Sequence, residues 1–193
     1  GPSWCDSSLA QLPWLYDTTS RPPTATLDLY RAQLPGFLDR YGPALADDEC
    51  RIIQQLGEVD HSPLVANGLP EVFSLIHVDY RLDNLLFHAK TGTTEVTAVD
   101  WQSITLGSPL NDVAYFIGAG LLPADRAPVE ERLVRSYYDA LCASGVDGYV
   151  WPDCWQAYRY GAFAGFAVTV VASMIVERTA RGDQMFTTMA QRH

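Results

Sequence analysis

Apolar residues recur every three or four positions through Leu27, Tyr30, Leu34, Phe37, Leu38 and Tyr41, the spacing that lines one face of a helix. Asp28 lies near its start, Pro35 offers a bend, and Gly42-Pro43 stops it. A second helix is predicted over 46–56, with Ile52, Ile53 and Leu56 on one side. Asp47, Asp48 and Glu49 fall in its first turn, where negative charge favours the helix dipole. The period then changes. A short strand is predicted over 72–76, followed by two apolar runs, 85–88 and 95–99, on either side of Thr91-Gly92-Thr93, which reads as a hairpin.

Helical spacing resumes after the break at Gly107-Ser108-Pro109. Ser108 or Asn111 is placed to cap a helix carrying Val113, Ala114, Phe116 and Ile117. Beyond Leu122-Pro123 a helix is predicted over 128–143, then a turn over 145–152. The longest helix follows, from 153 to near 178, and the last runs over 183–192 with Phe186 and Met189 inward. Residues 4–23 read as a short helix and a loop, with Trp4 and Trp14 covering core, and 57–70 as irregular chain. The expected fold is α+β, mainly α-helical, with one short hairpin.

Residues 160–176 carry no charge, yet the stretch falls short of the ~20 apolar residues a membrane span needs. Gly161, Gly165, Thr169 and Ser173 within it favour a buried central helix that a neighbour approaches closely. No membrane partner is expected.

Composition narrows the field less than the pattern does. The 193 residues, 48% of them hydrophobic, suffice for one domain with a substantial core. Thirteen Lys and Arg stand against 23 Asp and Glu, a formal charge of -10, which argues against nucleic acid as a partner and would suit a cationic substrate only weakly. Cys5, Cys50, Cys142 and Cys154 show no C-x-x-C spacing, so reduced thiols in a cytoplasmic protein are expected. Gly1-Pro2-Ser3 resembles the remnant of a cleaved purification tag, which leaves 4–193 as the domain.

The chemistry concentrates around the hairpin. A polar loop, His77-Val78-Asp79-Tyr80-Arg81-Leu82-Asp83-Asn84, enters it, and Asp100 leaves it at the same end. Asp79, Asn84 and Asp100 should therefore meet. Phosphoryl transfer from ATP asks little more of a protein than one carboxylate to orient the attacking hydroxyl and take its proton, plus oxygen ligands for Mg²⁺. Asp79 suits the first task; Asn84 with Asp100 suits the second. Arg81 is placed either to meet a phosphate or to pair with Asp83. His61, in the irregular stretch, and His88, at the end of the first hairpin strand, read as structural or solvated.

The string H-x-D-x-x-x-x-N, a hairpin and then an Asp resembles the catalytic and metal-binding segments of the aminoglycoside phosphotransferase and choline kinase-like family, distant relatives of protein kinases. HVDYRLDNLLF, AVDWQ and GSPLNDVAYF carry the likeness, strongly over about residues 72–120 and loosely elsewhere. It implies the C-terminal lobe of a protein kinase-like fold, with Asp79 as catalytic base, Asn84 and Asp100 as Mg²⁺ ligands and His77 as a brace for the loop. Asp112 matches the family's buried Asp that receives backbone N–H groups of that loop. The family usually has Gly where Val78 stands, and Trp101-Gln102 after Asp100 fits its small-molecule kinases better than the Phe-Gly of protein kinases.

The resemblance also implies ATP, or another nucleoside triphosphate, as co-substrate and a small-molecule alcohol as acceptor. An N-terminal lobe with a Gly-rich loop and a phosphate-contacting Lys is expected besides, and nothing upstream of Val72 supplies either. The expected function is that of the catalytic lobe of a small-molecule kinase, inactive in isolation. The alternative is a non-catalytic kinase-like module that binds a ligand or partner. A metallohydrolase using His61, His77, Asp79 and His88 fits no common ligand spacing. Aromatics over 151–160 would line the substrate side or simply pack.

Overall fold

The computed structural model describes residues 12, 16–17, 24–58, 74–87, 90, 92 and 95–193. The first apolar stripe forms α1, Thr24–Tyr41, with Pro35 inside it, and the second forms α2, Asp47–Glu58. Glu49 reaches back to accept from the Ala46 N–H at 2.7 Å, which satisfies one of the donors left over at the start of α2. The two helices are cross-tied by Tyr30 and Arg31, which donate to the Ile53 and Gly57 carbonyls, both at 2.7 Å.

Five short strands follow or flank the loop. They are β1 (Tyr16–Asp17), β2 (Ser74–Ile76), β3 (Leu85–Phe87), β4 (Val96–Ala98) and β5 (Thr105–Gly107). β3 and β4 form the expected hairpin, in antiparallel register with Leu85 opposite Ala98 and Phe87 opposite Val96. β5 pairs antiparallel with β2 and parallel with β1. Both β1 and β5 depart from the pattern reading. Residues 4–23 read as helix and loop, yet Tyr16–Asp17 is extended, and Thr105–Gly107 forms a strand where the sequence suggests only a break. Three residues are too few for a period to show, and β5 is buried throughout, so it lacks the alternation that marks a half-exposed strand.

The remaining helices are α3 (Pro109–Gly120), the single turn α4 (Pro123–Arg126), α5 (Glu130–Ala143), α6 (Trp151–Ile175) and α7 (Ala180–Arg192). Ser108 occupies the N-cap of α3, but its hydroxyl makes no capping bond and is buried without a partner. Pro123, read as a break, opens α4 instead, since proline suits a first helical position. α6 begins at Trp151, with Pro152 in its first turn, and stops at Ile175, short of Arg178. Arg181-Gly182-Asp183 belongs to the first turn of α7, because Thr179 caps that helix by accepting from the Gly182 N–H at 3.0 Å.

α6 is long and apolar enough by length and composition to cross a membrane, yet it packs against protein along its length. Its first half shares a core with α3 and α5, made by Leu110, Ala114, Ile117, Val134, Cys154 and Tyr158. Its second half joins α1, α2, α3 and α7 through Phe37, Ile53, Tyr115, Phe166, Val170 and Phe186. Each such fully buried side chain contributes about 1.5–3 kcal/mol. Thr169 and Ser173 are buried in this helix and donate to the Gly165 and Val170 carbonyls, so neither hydroxyl is left unpaired. At Gly161 an added Cβ would lie 2.8 Å from the Leu110 carbonyl oxygen, which is why α3 can come so close.

The expectations for Gly1–Ser3, Trp4, Cys5, Trp14, His61, Val72, His88, Thr91 and Thr93 fall outside the described residues.

Candidate active site

β2 delivers the chain into the loop, and two residues later the backbone turns left-handed at Val78, with φ of 73°. A β-branched residue is a poor occupant of that region, at a cost of roughly 1–2 kcal/mol. Asp112, in the first turn of α3, offsets this strain. Its two carboxylate oxygens accept the His77 N–H at 2.6 Å and the Val78 N–H at 2.9 Å. Burial raises the pKa of Asp112, and these two amide bonds act in the opposite direction.

His77 is 1% exposed, between the rings of Trp101 and Tyr80, and its Nε2 lies 2.8 Å from the Val99 carbonyl. A carbonyl only accepts, so Nε2 carries the proton. The ring thus ties the start of the loop to the far end of the hairpin.

The register of β3 and β4 then fixes the other partners. The Val99 N–H donates to the Asn84 carbonyl at 2.9 Å, which continues the ladder by one pair and leaves Asp100 beside Asn84 at the open end. Asp100 is also left-handed, with φ of 64°; it is exposed and makes no ion pair among the described residues. Asn84 is buried, and its Nδ2 donates both to the Asp79 carbonyl at 2.8 Å and to Asp79 Oδ2 at 2.9 Å. With its two N–H groups so committed, Oδ1 remains as the free acceptor. The donors offered to a hard cation are therefore one amide oxygen and one exposed carboxylate at the same end of the hairpin.

Arg81 settles on carboxylates. Its Nε is 3.2 Å from Asp79 Oδ1, and its Nη1 is 3.4 Å from Asp83 Oδ2. The pairing with Asp83 offered by the sequence is present, and Asp79 is a second partner that the sequence did not suggest. Tyr115, on α3, joins the site without having been picked out by the sequence. Its pKa is raised by burial first, then by the Asp79 charge, which places it within electrostatic reach of that carboxylate. No sequence signal separates it from the other apolar-face residues of α3, because its ring does pack in the core.

Two sets of hydrogen bonds thus hold the loop, Asn84 with Asp79 and Asp112 with the His77 and Val78 amides, and Asp100 follows Val99 at the same end of the hairpin. Among the described residues, no group of three His, Cys, Asp or Glu side chains is arranged to hold a metal; His61 and His88, which the hydrolase reading requires, lie outside them. The aromatics of α6 stack in series from Trp151 to Trp155 to Tyr158, with ring centroids 5.7 and 5.4 Å apart, and Arg135 lies over Trp151 at 4.7 Å.

Known proteins share this segment. Acyl-CoA dehydrogenase family member 10 of Mus musculus is 33% identical over 131 residues, 61% of this chain and 12% of that protein. Acyl-CoA dehydrogenase family member 11 of Homo sapiens is 40% identical over 73 residues, 38% of this chain and 9% of that protein. The chain thus spans only a small part of the length of these relatives. The model of the ecdysteroid kinase-like family matches residues 26–145, from α1 through the loop, hairpin and α3 to the end of α5. That family is kinase-like and related to the choline and aminoglycoside kinases, and this mainly helical chain belongs to it.

Proposed function

We propose that the chain is the catalytic, mainly helical lobe of an ATP-dependent phosphotransferase that phosphorylates a hydroxyl group of a small molecule. The observation that carries this reading is the grip of Asn84 Nδ2 on both the backbone and the carboxylate of Asp79, beside Asp100 at the mouth of the hairpin. A kinase-type enzyme is also what the family match favours.

Asp79 orients the acceptor hydroxyl and receives its proton. The acceptor oxygen forms a bond to the γ-phosphorus, the bond from that phosphorus to the β,γ-bridging oxygen breaks, and ADP leaves with the electron pair. Asn84 Oδ1 and Asp100 are the residues that would hold Mg²⁺, which when bound neutralises charge on the phosphates. His77 and Asp112 keep the loop rigid, as catalysis by positioning requires.

Both faces of the hairpin carry exposed apolar surface: Leu86 is 54% exposed on one side, and Phe87, 57% exposed, stands opposite the half-exposed Val96 on the other. We assign it to contact with a nucleotide-binding lobe that brings the Gly-rich loop and Lys, and expect little transfer without that lobe.

The test is ADP release by the full-length protein with MgATP and a panel of alcohols. Turnover that falls by roughly 10²- to 10⁴-fold in Asp79→Ala supports the assignment. Full turnover in that variant would remove Asp79 from the role. Failure to bind Mg-nucleotide at all would favour a non-catalytic binding module.

A further inference from the structure

A cavity of about 390 Å³ opens between the loop and α7, and its lining runs against the charge of the chain. Acidic residues outnumber basic ones 23 to 13 overall, yet here Arg81, Arg181 and Arg192 face a single acid, Asp83. Arg181 makes no ion pair among the described residues. Arg192 donates through Nη1 to the Ala119 carbonyl at 2.5 Å, while its Nε is buried with no acceptor. Met185 and Met189 supply adaptable apolar surface beside these groups. Arg81 connects the cavity to the chemistry, because its Nε lies 3.2 Å from Asp79.

We propose that this cavity is an oxyanion subsite for the acceptor, so that the alcohol phosphorylated also carries a carboxylate or a phosphate group. The proposal rests on the reading of Asp79 given above. Guanidinium forks match both groups, and the volume suits a small molecule. A cationic acceptor, which the overall charge of the chain would suit, finds three arginines here. Arg81 is shared: an incoming oxyanion competes with Asp83 for its Nη1, which lies 3.4 Å from that carboxylate.

Binding is measured first without nucleotide, by titrating the chain at low ionic strength with inorganic phosphate, acetate and tetramethylammonium in separate calorimetric runs. Saturable binding of phosphate or acetate, and none of tetramethylammonium, is expected; which of the two binds more tightly distinguishes a phosphate-bearing from a carboxylate-bearing acceptor. Arg181→Gln should weaken that binding by about threefold to fivefold, and Asp83→Asn should strengthen it by a similar factor. Both residues are exposed, so neither change threatens the fold. Unsaturable anion binding, or affinities that neither variant moves, would overturn the subsite. The kinase reading is tested apart from it: transfer by the full-length protein only to uncharged or cationic alcohols sinks the subsite and leaves the kinase standing. Oxyanion binding with Asp79→Ala indifferent to turnover does the reverse.

Discussion

From Ile76 to Leu85 the chain is held by hydrogen bonds to single partners, whereas from Trp151 to Ile175 it is held by close packing on two sides. One left-handed residue, Val78, lies in the loop and another, Asp100, follows the hairpin, while one carboxylate on α3, Asp112, accepts two N–H groups of the loop. The helix α6 leans less on such anchors: its Thr169 and Ser173 hydroxyls bond within their own helix, and its polar ties to other elements are the Tyr158 hydroxyl donating to Glu130 and Arg40 donating to the Ser173 carbonyl. Strain is tolerated where directional bonds over-determine the backbone, and function tends to sit there. Packing instead sets the frame on which the loop rests. Changes in the two regions should therefore separate in their readouts, with stability lost in the helical body and chemistry lost in the loop.

The largest loss of stability is expected from Phe37→Ala. Phe37 is 0% exposed, in contact with Tyr41 at a ring separation of 5.0 Å, and truncation should cost about 3–5 kcal/mol in urea unfolding. Asp79→Asn is its counterpart: Asn keeps an acceptor for Asn84 and gives up only the ion pair with Arg81, so unfolding should move by about 1 kcal/mol even as turnover fails. Equal losses of stability in both variants would erase the contrast.

Next comes a pH effect at the end of α7. His193 is half-buried against Tyr115 and Phe166, and its pKa is pushed down to about 4 by desolvation first, then by Arg126 and Arg192. Its pKa is depressed on folding, so its contribution is present above the ordinary value near 6.5 and is lost as pH falls toward 4. The loss amounts to roughly 3 kcal/mol, and His193→Gln should flatten this part of the stability profile. A smaller effect, about 1–3 kcal/mol, is expected for Gly161→Ala, because the added methyl meets the Leu110 carbonyl and backbone cannot swing aside.

The same division explains what could be read in advance. Helices α1, α2, α3 and α5 follow from apolar spacing because one face of each is buried, and the hairpin follows from two runs about a Gly turn. That Asp79 and Asn84 meet beside the exit of the hairpin was legible because a hairpin returns its second strand to the end where the loop enters. Tyr115 was not, since its value to Asp79 comes from the approach of α3 to the loop, a contact that no local pattern encodes. β1 and β5 were missed for a related reason: a two-residue and a three-residue strand exist only through pairing with distant chain. The pairing of Arg81 with Asp79 as well as Asp83 likewise depends on how the loop closes.

Val78 is where the comparison is sharpest, and where the smallest effect is most informative. In the left-handed region glycine avoids the steric cost that valine incurs, but it loses more freedom on folding. Val78→Gly should therefore raise stability by no more than about 1 kcal/mol. If Asp112 is what compels valine into that conformation, the benefit should depend on it. Asp112→Asn leaves one acceptor oxygen for two N–H groups and should weaken the loop more when Val78 is present than when the Val78→Gly change accompanies it. A double-mutant cycle measures the difference, with a coupling of about 0.5 kcal/mol or more expected for residues in direct contact. Strict additivity would mean that the bend at Val78 is imposed by β2 and the hairpin alone, and the role assigned to Asp112 would pass to packing after all.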